Sequence, residues 1–310
     1  MMQRTANRRY FIKQMKKMVS SWQLYALILP AIVYLILFDY IPMYGVQIAF
    51  RDFRASKGIL GSKWVGMKYF IKFVTYPNFW KIIRNTIVLS AYSLVLFPLP
   101  LAFAMMLNEV QNIRFKKFAQ MVTYAPHFIS TVVLVSMVTL FFARGNGVIN
   151  NIRVLMGMER ISFMESPTAF KHLYVWSGKW QNTGWNTIIY MSALAGVSIE
   201  LIEAAKIDGA NRIQVIMHIN IPTILPTVII MLILNCGHLL SVGFEKVYIM
   251  QNPLNLEASQ IISTYVYEMG LQGAQYSYSA AIGLFNTAVN ILFVMIVNAI
   301  SKRVSEVGLW

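Results

Sequence analysis

Acidic residues are scarce in this chain. Only 12 of its 310 residues are Asp or Glu, against 27 Lys or Arg, giving a formal net charge of +15. Charged residues of both signs reach 13%, about half the roughly 25% of a soluble domain. With 57% hydrophobic residues, the apolar excess is too large for one soluble core, and a large soluble all-α protein is set aside. Cys236, the only cysteine, lies in an apolar run. It excludes an intrachain disulfide and says nothing of redox compartment. The apolar runs hold almost no carboxylates, Asp39 near the end of the first being the exception. That disfavours a secondary transporter driven by an ion gradient, which would want buried acids in mid-span. The four histidines (His127, His172, His218, His238) are scattered, none at metal-ligand spacing from an acid or Cys236. A membrane-embedded enzyme would need such groups clustered. No G-x-x-x-x-G-K-[ST] is present: Gly178-Lys179 is followed by Trp180, and Gly61-Ser62-Lys63 has the wrong order. The basic excess would point to nucleic acid on a soluble protein. Here it falls mostly between apolar runs, where it sets topology and meets anionic lipid heads, and no nucleic-acid module is visible.

What is present is a series of six apolar segments long enough to cross a bilayer, which takes about 20 residues. They run over Leu24–Tyr44, Ile83–Leu107, Phe118–Phe142, Val175–Val197, Ile224–Gly243 and Tyr278–Ile300. The expected fold is therefore an all-α polytopic membrane protein with six transmembrane helices. Residues 1–23 read as a cytoplasmic basic tail, 24–301 as the transmembrane domain and 302–310 as a cytoplasmic C-terminal tail. The first basic-then-apolar stretch lacks a small-x-small cleavage site and reads as an uncleaved anchor. The tail carries Arg4, Arg8, Arg9, Lys13, Lys16 and Lys17 with no acid, which places it in the cytoplasm. Six spans return the C-terminus there, in agreement with Lys302 and Arg303. One loop disagrees: residues 45–82 should lie outside, yet carry seven basic residues and a single acid, Asp52. Within it, Val65–Trp80 has the aromatic and basic content of a segment lying along headgroups.

Several spans contain polar groups or proline: Pro98 and Pro100 in the second, Asn235 and His238 in the fifth, Asn286 and Asn290 in the sixth. Such groups face either a cavity or a partner helix. The most informative segment follows the fourth span. Ser198 is a good N-cap, Glu200 and Glu203 sit where the helix dipole favours acids, and Gly209 can end the helix in the left-handed conformation. A second short helix is expected from Asn211 to about Ile219, after which Pro222 and Pro226 break the chain before span five. The product is a cytoplasmic knob over residues 198–222, with small residues at its apex.

Glu203-Ala204-Ala205, Asp208-Gly209-Ala210, Ile219, Pro222 and Pro226 resemble the EAA signature of the permease subunits of ABC importers, most closely the sugar-importer permeases. Trp180-Gln181-Asn182-Thr183-Gly184-Trp185-Asn186, Ala125-Pro126-His127-Phe128-Ile129-Ser130 and Arg84-Asn85-Thr86 are similar to stretches in the family's fourth, third and second spans. Together they point to the LplB-like branch that handles oligosaccharides or polysaccharide fragments. The chain departs from the pattern at Ser198, where the family often has Pro, and at Ile216, an aromatic position.

The resemblance implies the type I importer (MetI-like) fold and a permease subunit with no cofactor of its own. ATP and Mg would be bound by two separate cytoplasmic ATPase subunits gripping Glu203, Ala204, Ala205, Asp208, Gly209 and Ala210. The other implied partners are a second permease subunit, favouring a heterodimer, an extracellular solute-binding protein and the bilayer. For an oligosaccharide path, spans four to six offer Trp180, Trp185, Tyr190, Asn235, Asn286 and Asn290. The outer loop Arg144–Asn151 and the tyrosines Tyr265, Tyr267, Tyr276 and Tyr278 are candidates to meet the binding protein.

Overall fold

The computed structural model describes residues 20–237, 240, 242–305 and 308; His238 and the basic N-terminal tail lie outside them. The chain divides into two compact units, Met1–Met67 and Lys68–Trp310.

The first unit opens with α1 (Trp22–Leu35), the start of a helical stretch that runs to Phe50. Proline at position 42 removes a backbone donor. The turn before it, Ile36–Tyr40, widens so that Ile41 N–H bonds Ile36 O, five residues back. Such local adjustment lets proline sit inside a span. Beyond it lies a hairpin that the all-helical expectation did not include. Strand β1 (Arg51–Arg54) pairs antiparallel with β2 (Ser62–Trp64), placing Arg51 opposite Trp64. Gly58, at φ +65°, takes a backbone conformation closed to most residues. The buried Ser62 locks the turn, its hydroxyl donating to Gly58 O (2.6 Å) and accepting from Arg54 N–H (3.0 Å).

The second unit contains α2 (Lys68–Val74), α3 (Phe79–Val95), α4 (Pro98–Glu109), α5 (Ile113–Tyr124), α6 (Thr131–Phe141), α7 (Val148–Leu155), α8 (Pro167–Leu194), α9 (Ile199–Ile207), α10 (Arg212–Val215), α11 (Ile221–Gly237), α12 (Phe244–Met250), α13 (Leu256–Ser259), α14 (Ile262–Tyr267) and α15 (Tyr276–Ser305). Across the described residues, four helical stretches are long and apolar enough to cross a membrane: Trp22–Phe50, Phe79–Glu109, Arg212–Gly237 and Tyr276–Arg303. Two bent pairs raise the number to six, Ile113–Phe128 with Thr131–Phe141 and Pro167–Leu194 with Ile199–Ile207. All six expected apolar segments fall on these stretches. Pro98 interrupts little because it stands in the first turn of α4, where its missing N–H had no helical partner.

Within Val65–Trp80 one face packs on protein, while Met67, Ile71, Val74 and Trp80 stay exposed, the apolar face that a position along headgroups requires. Helix α2 drives Phe73 into the protein, 1% exposed, against Phe79, Tyr265, Tyr278 and Phe285. Lys72 reaches Gln275 Oε1 at 3.1 Å and lies 4.4 Å from the Tyr278 ring centroid. An aromatic-rich amphipathic helix satisfies itself as readily on a protein face as on lipid, and here rings from three other helices are available. Tyr265 and Tyr278 are buried in the same cluster, their hydroxyls 3.3 Å apart, so neither is free to meet a binding protein.

Helix α8 is the hub, packing on α3, α4, α5, α6 and α11. Lipid tails are as apolar as leucine side chains, so close approach of backbones drives association in a membrane. Gly184 permits the closest of these: a Cβ there would stand 2.1 Å from Thr123 O. The Arg84-Asn85-Thr86 stretch is architectural. Asn85 Nδ2 donates to Glu257 O (2.7 Å) and Gln260 O (3.1 Å), and Thr86 Oγ1 accepts from Ile262 N–H (3.1 Å), fixing the turn into α14.

Candidate functional site

The knob forms because each of its ends is chemically specified. The Ser198 hydroxyl accepts from Leu201 N–H and hydrogen-bonds the Glu200 carboxylate. That second bond holds the Glu200 carboxyl below its usual pKa. Helix α9 leaves α8 at 80°. It ends in a full Schellman motif: Ala210 N–H bonds Ala205 O (2.9 Å), Gly209 N–H bonds Lys206 O (3.1 Å), and Gly209 has φ +83°. Two residues on, Asn211 and Gln214 exchange side-chain-to-backbone bonds of 2.8 and 2.9 Å, a capping box that starts α10. Ile202 and Ile216 anchor the knob on the cluster of Tyr190, Leu194, Val197 and Ile224. Ile207 is left 87% exposed and Ile213 72% exposed. Between α9 and α10 lies a notch of about 330 Å³, lined by Ala205, Asp208, Gly209, Ala210, Gln214, Val215, His218 and Ile219.

The expected break at Pro222 and Pro226 is corrected. The stretch Arg212–Gly237 is one continuous helix. A widened turn at Ile216–Asn220, with Ile221 N–H bonded to Ile216 O, absorbs Pro222, repeating the device that precedes Pro42. The second knob helix is therefore the first turn of span five.

A second group of residues gathers where span three bends. Helices α5 and α6 meet at 100°, with the break at Ile129 and Ser130. Backbone that leaves a helix inside a membrane must be satisfied by protein or line a cavity. Gln181 of α8 answers one such group, donating to Ile129 O at 2.7 Å. His127 stacks on Trp185, centroids 4.4 Å apart and planes 5° apart, and its Nδ1 lies 2.9 Å from Asn182 Oδ1. Phe128 packs edge-on against the same indole. Asn182 also donates to Gly178 O at 3.1 Å. An aromatic face and two amides of span four thus stand together with an imidazole from the bend of span three, the groups a sugar ring needs.

The six path residues read from sequence do not form one site. Trp185 is in this stack and 39% exposed. Trp180 is exposed and lines an apolar cavity of about 640 Å³ with Trp176 and His172, the latter two joined through Tyr92 OH (2.8 and 2.9 Å). Tyr190 is packed in the core beside the knob. Asn235 is exposed and bonds its own helix at Met231 O (2.8 Å), while Asn290 Oδ1 accepts Leu240 N–H (3.0 Å). Asn286 holds a buried Oδ1 without a hydrogen-bond partner. His127, Gln181 and Asn182 were not singled out as path residues, although each lies in a stretch that carried the resemblance.

Residues 98–306 match the family model described as binding-protein-dependent transport system inner membrane component. The chain is 43% identical over 295 residues to the polygalacturonan/rhamnogalacturonan transport system permease protein YteP of Bacillus subtilis, covering 95% of this chain and 92% of that one. It is 42% identical over 288 residues to Protein LplB of the same organism, covering 93% and 91%. Among solved structures it resembles a chain of a bacterial ABC transporter involved in the import of the acidic polysaccharide alginate. The TM-score is 0.87 at 36% identity, over 94% of this chain and 99% of that one. A second structure, of the bacterial alginate transporter with an alginate pentasaccharide-bound periplasmic protein, matches at the same TM-score and identity.

Proposed function

This chain belongs to the family of binding-protein-dependent transport system inner membrane components, and from that premise we propose how it works as one permease subunit of an ATP-driven importer of oligosaccharides or polysaccharide fragments. It is an integral membrane protein of the ABC importer class and not an enzyme. The relatives named for polygalacturonan/rhamnogalacturonan and alginate transport support the cargo class. The alginate complex with its periplasmic protein supports an external binding protein as donor.

The observation that carries the coupling mechanism is the knob. A helix fixed by a cap at one end and a Schellman turn at the other, with Ile207 exposed at its tip, is a rigid apolar projection, and such surfaces mark protein contacts. In this reading Glu203, Ala204, Ala205, Asp208, Gly209 and Ala210 are gripped by one of two cytoplasmic ATPase subunits, which hold ATP and Mg. A second permease subunit presents the other knob. Both termini lie in the cytoplasm, so α12 to α14 and the Arg144–Asn151 loop face outward. ATPase closure draws the knobs together, the spans open outward, and the sugar passes from its binding protein to the stack of His127, Asn182 and Trp185. Coupling of this kind is reciprocal, so docking of the loaded binding protein favours ATPase closure.

A photo-crosslinking side chain at Ala204 or Ala205 should capture an ATPase subunit in cells. Labelling of those positions from the outer surface would refute the orientation and the mechanism with it. Uptake that survives an uncoupler but stops with an inactive ATPase separates this mechanism from a gradient-driven carrier.

A further inference from the structure

The sugar-handling reading leaves one group on the outer side of the bundle unused. Lys246 stands on α12, which packs on α6, α8 and α14. Its side chain turns inward and donates to Tyr174 O at 2.7 Å, with Nζ 4.9 Å from the centroid of the Tyr174 ring. That ring is itself held by a hydrogen bond between its hydroxyl and the Gly243 backbone. Room for the ammonium exists because residue 178 is glycine: a Cβ there would come within 3.0 Å of Nζ.

An ammonium has three donors, and one carbonyl and one ring face satisfy it partially. Helix α6 has no ionisable side chain to offer, and among the described residues no carboxylate pairs with Lys246. Withdrawal from water pushes its pKa down to about 7. A half-buried cation without an anion is costly to keep, and an anionic ligand would offset that cost. The location of Lys246 fits. Gly178 faces the ammonium with its Cα, and its carbonyl accepts from Asn182, which contacts His127 above Trp185. Lys246 is therefore one end of a continuous row of groups that closes on the aromatic stack.

We propose that Lys246 is a specificity-determining residue that binds a carboxylate of the sugar cargo, so that the permease selects acidic, uronate-containing oligosaccharides over neutral ones. This rests on the reading of the chain as a sugar permease. The carboxylate supplies the missing counter-charge, and a charge-assisted bond of this kind is about twice as strong as a neutral one.

The test uses the complete transporter in cells, with trisaccharides of galacturonate, glucuronate and mannuronate as probes, each paired with its carboxyl-reduced neutral counterpart. Wild type should take up at least one acidic probe in preference to its reduced partner. Lys246→Met should raise the half-saturating concentration for that acid at least tenfold and change uptake of a neutral probe less than twofold. Lys246→Gln, which keeps a donor for the Tyr174 carbonyl, should behave like Lys246→Met. The proposal is overturned if Lys246→Gln restores acidic uptake, if acidic and neutral uptake fall together, if neither changes, or if wild type takes only neutral probes. ATP-dependent uptake of neutral probes alone would leave the sugar-permease reading standing. Uptake of no probe at all would count against both.

Discussion

Replacing Gly184 with alanine adds one methyl group at the tightest helix contact in the second unit. The new Cβ would lie 2.1 Å from Thr123 O, 2.5 Å from Thr123 C and 3.0 Å from Thr123 Cβ, where ordinary contact begins at 3.4 Å. The first two atoms are backbone, so no rotamer change relieves the clash, and α5 and α8 must part by roughly 1 Å or more. Overpacking costs about 1–3 kcal/mol, and a backbone clash belongs at the top of that range. Alanine returns about 1 kcal/mol of helix propensity, leaving a net loss of about 2 kcal/mol. At about 2–4 °C per kcal/mol, the purified chain in detergent should melt about 4–8 °C lower. The control is Gly283→Ala on α15, where an added Cβ meets nothing within 4 Å; it should gain up to about 1 kcal/mol from propensity alone. Because α5 leads directly into the turn that holds His127 and α8 carries Trp185, Gly184→Ala should also weaken sugar uptake more than its stability loss accounts for. A Gly184→Ala variant that melts with or above wild type would refute the reasoning, since both substitutions would then register helix propensity alone.

Other consequences follow from the same geometry. Gly209→Pro or Glu203→Lys should abolish transport while the spans remain inserted, as judged by membrane fractionation and uptake. Gly209→Ala should be milder, costing about 1–2 kcal/mol for the left-handed backbone, visible as reduced stimulation of the partner ATPase by loaded binding protein. Asn150→Ala removes a buried amide that holds Ala143 O and Ile161 O and accepts Ile161 N–H; stranding those groups should cost about 1–3 kcal/mol, read as a lower melting temperature and earlier proteolysis between α6 and α8. Trp185→Ala should raise the half-saturating sugar concentration while leaving basal ATPase activity unchanged.

The spans were legible because a bilayer imposes length and apolarity on any crossing segment, and all six expected runs lie on the observed helical stretches. The ends of α9 were legible because Ser198 and Gly209 are the residues a cap and a left-handed stop require. The effect of Pro222 was misjudged, since proline was weighed against a regular α-helix. A widened turn at Ile216–Asn220 removes the conflict, and no residue type marks such a turn in advance. The burial of Phe73 was not legible because its partners Phe285 and Tyr278 lie some 200 residues on in the sequence. The stack of His127 on Trp185 joins two segments by a bend in span three, so neither residue alone announces it. Lys246 was hidden for a simpler reason: between two spans, a lysine ordinarily points to water.

The uninterrupted course from Arg212 to Gly237 has a mechanical corollary. Those 26 residues make a rod about 39 Å long at 1.5 Å per residue, with its foot in the capping box and, in the proposed orientation, its head toward the outer leaflet. A tilt of about 10° at the foot would swing the head by roughly 7 Å, a distance comparable to the width of a sugar ring. In the proposed mechanism the motor's stroke would thus reach the far side of the membrane along a single stiff strut, with no hinge at the prolines to dissipate it.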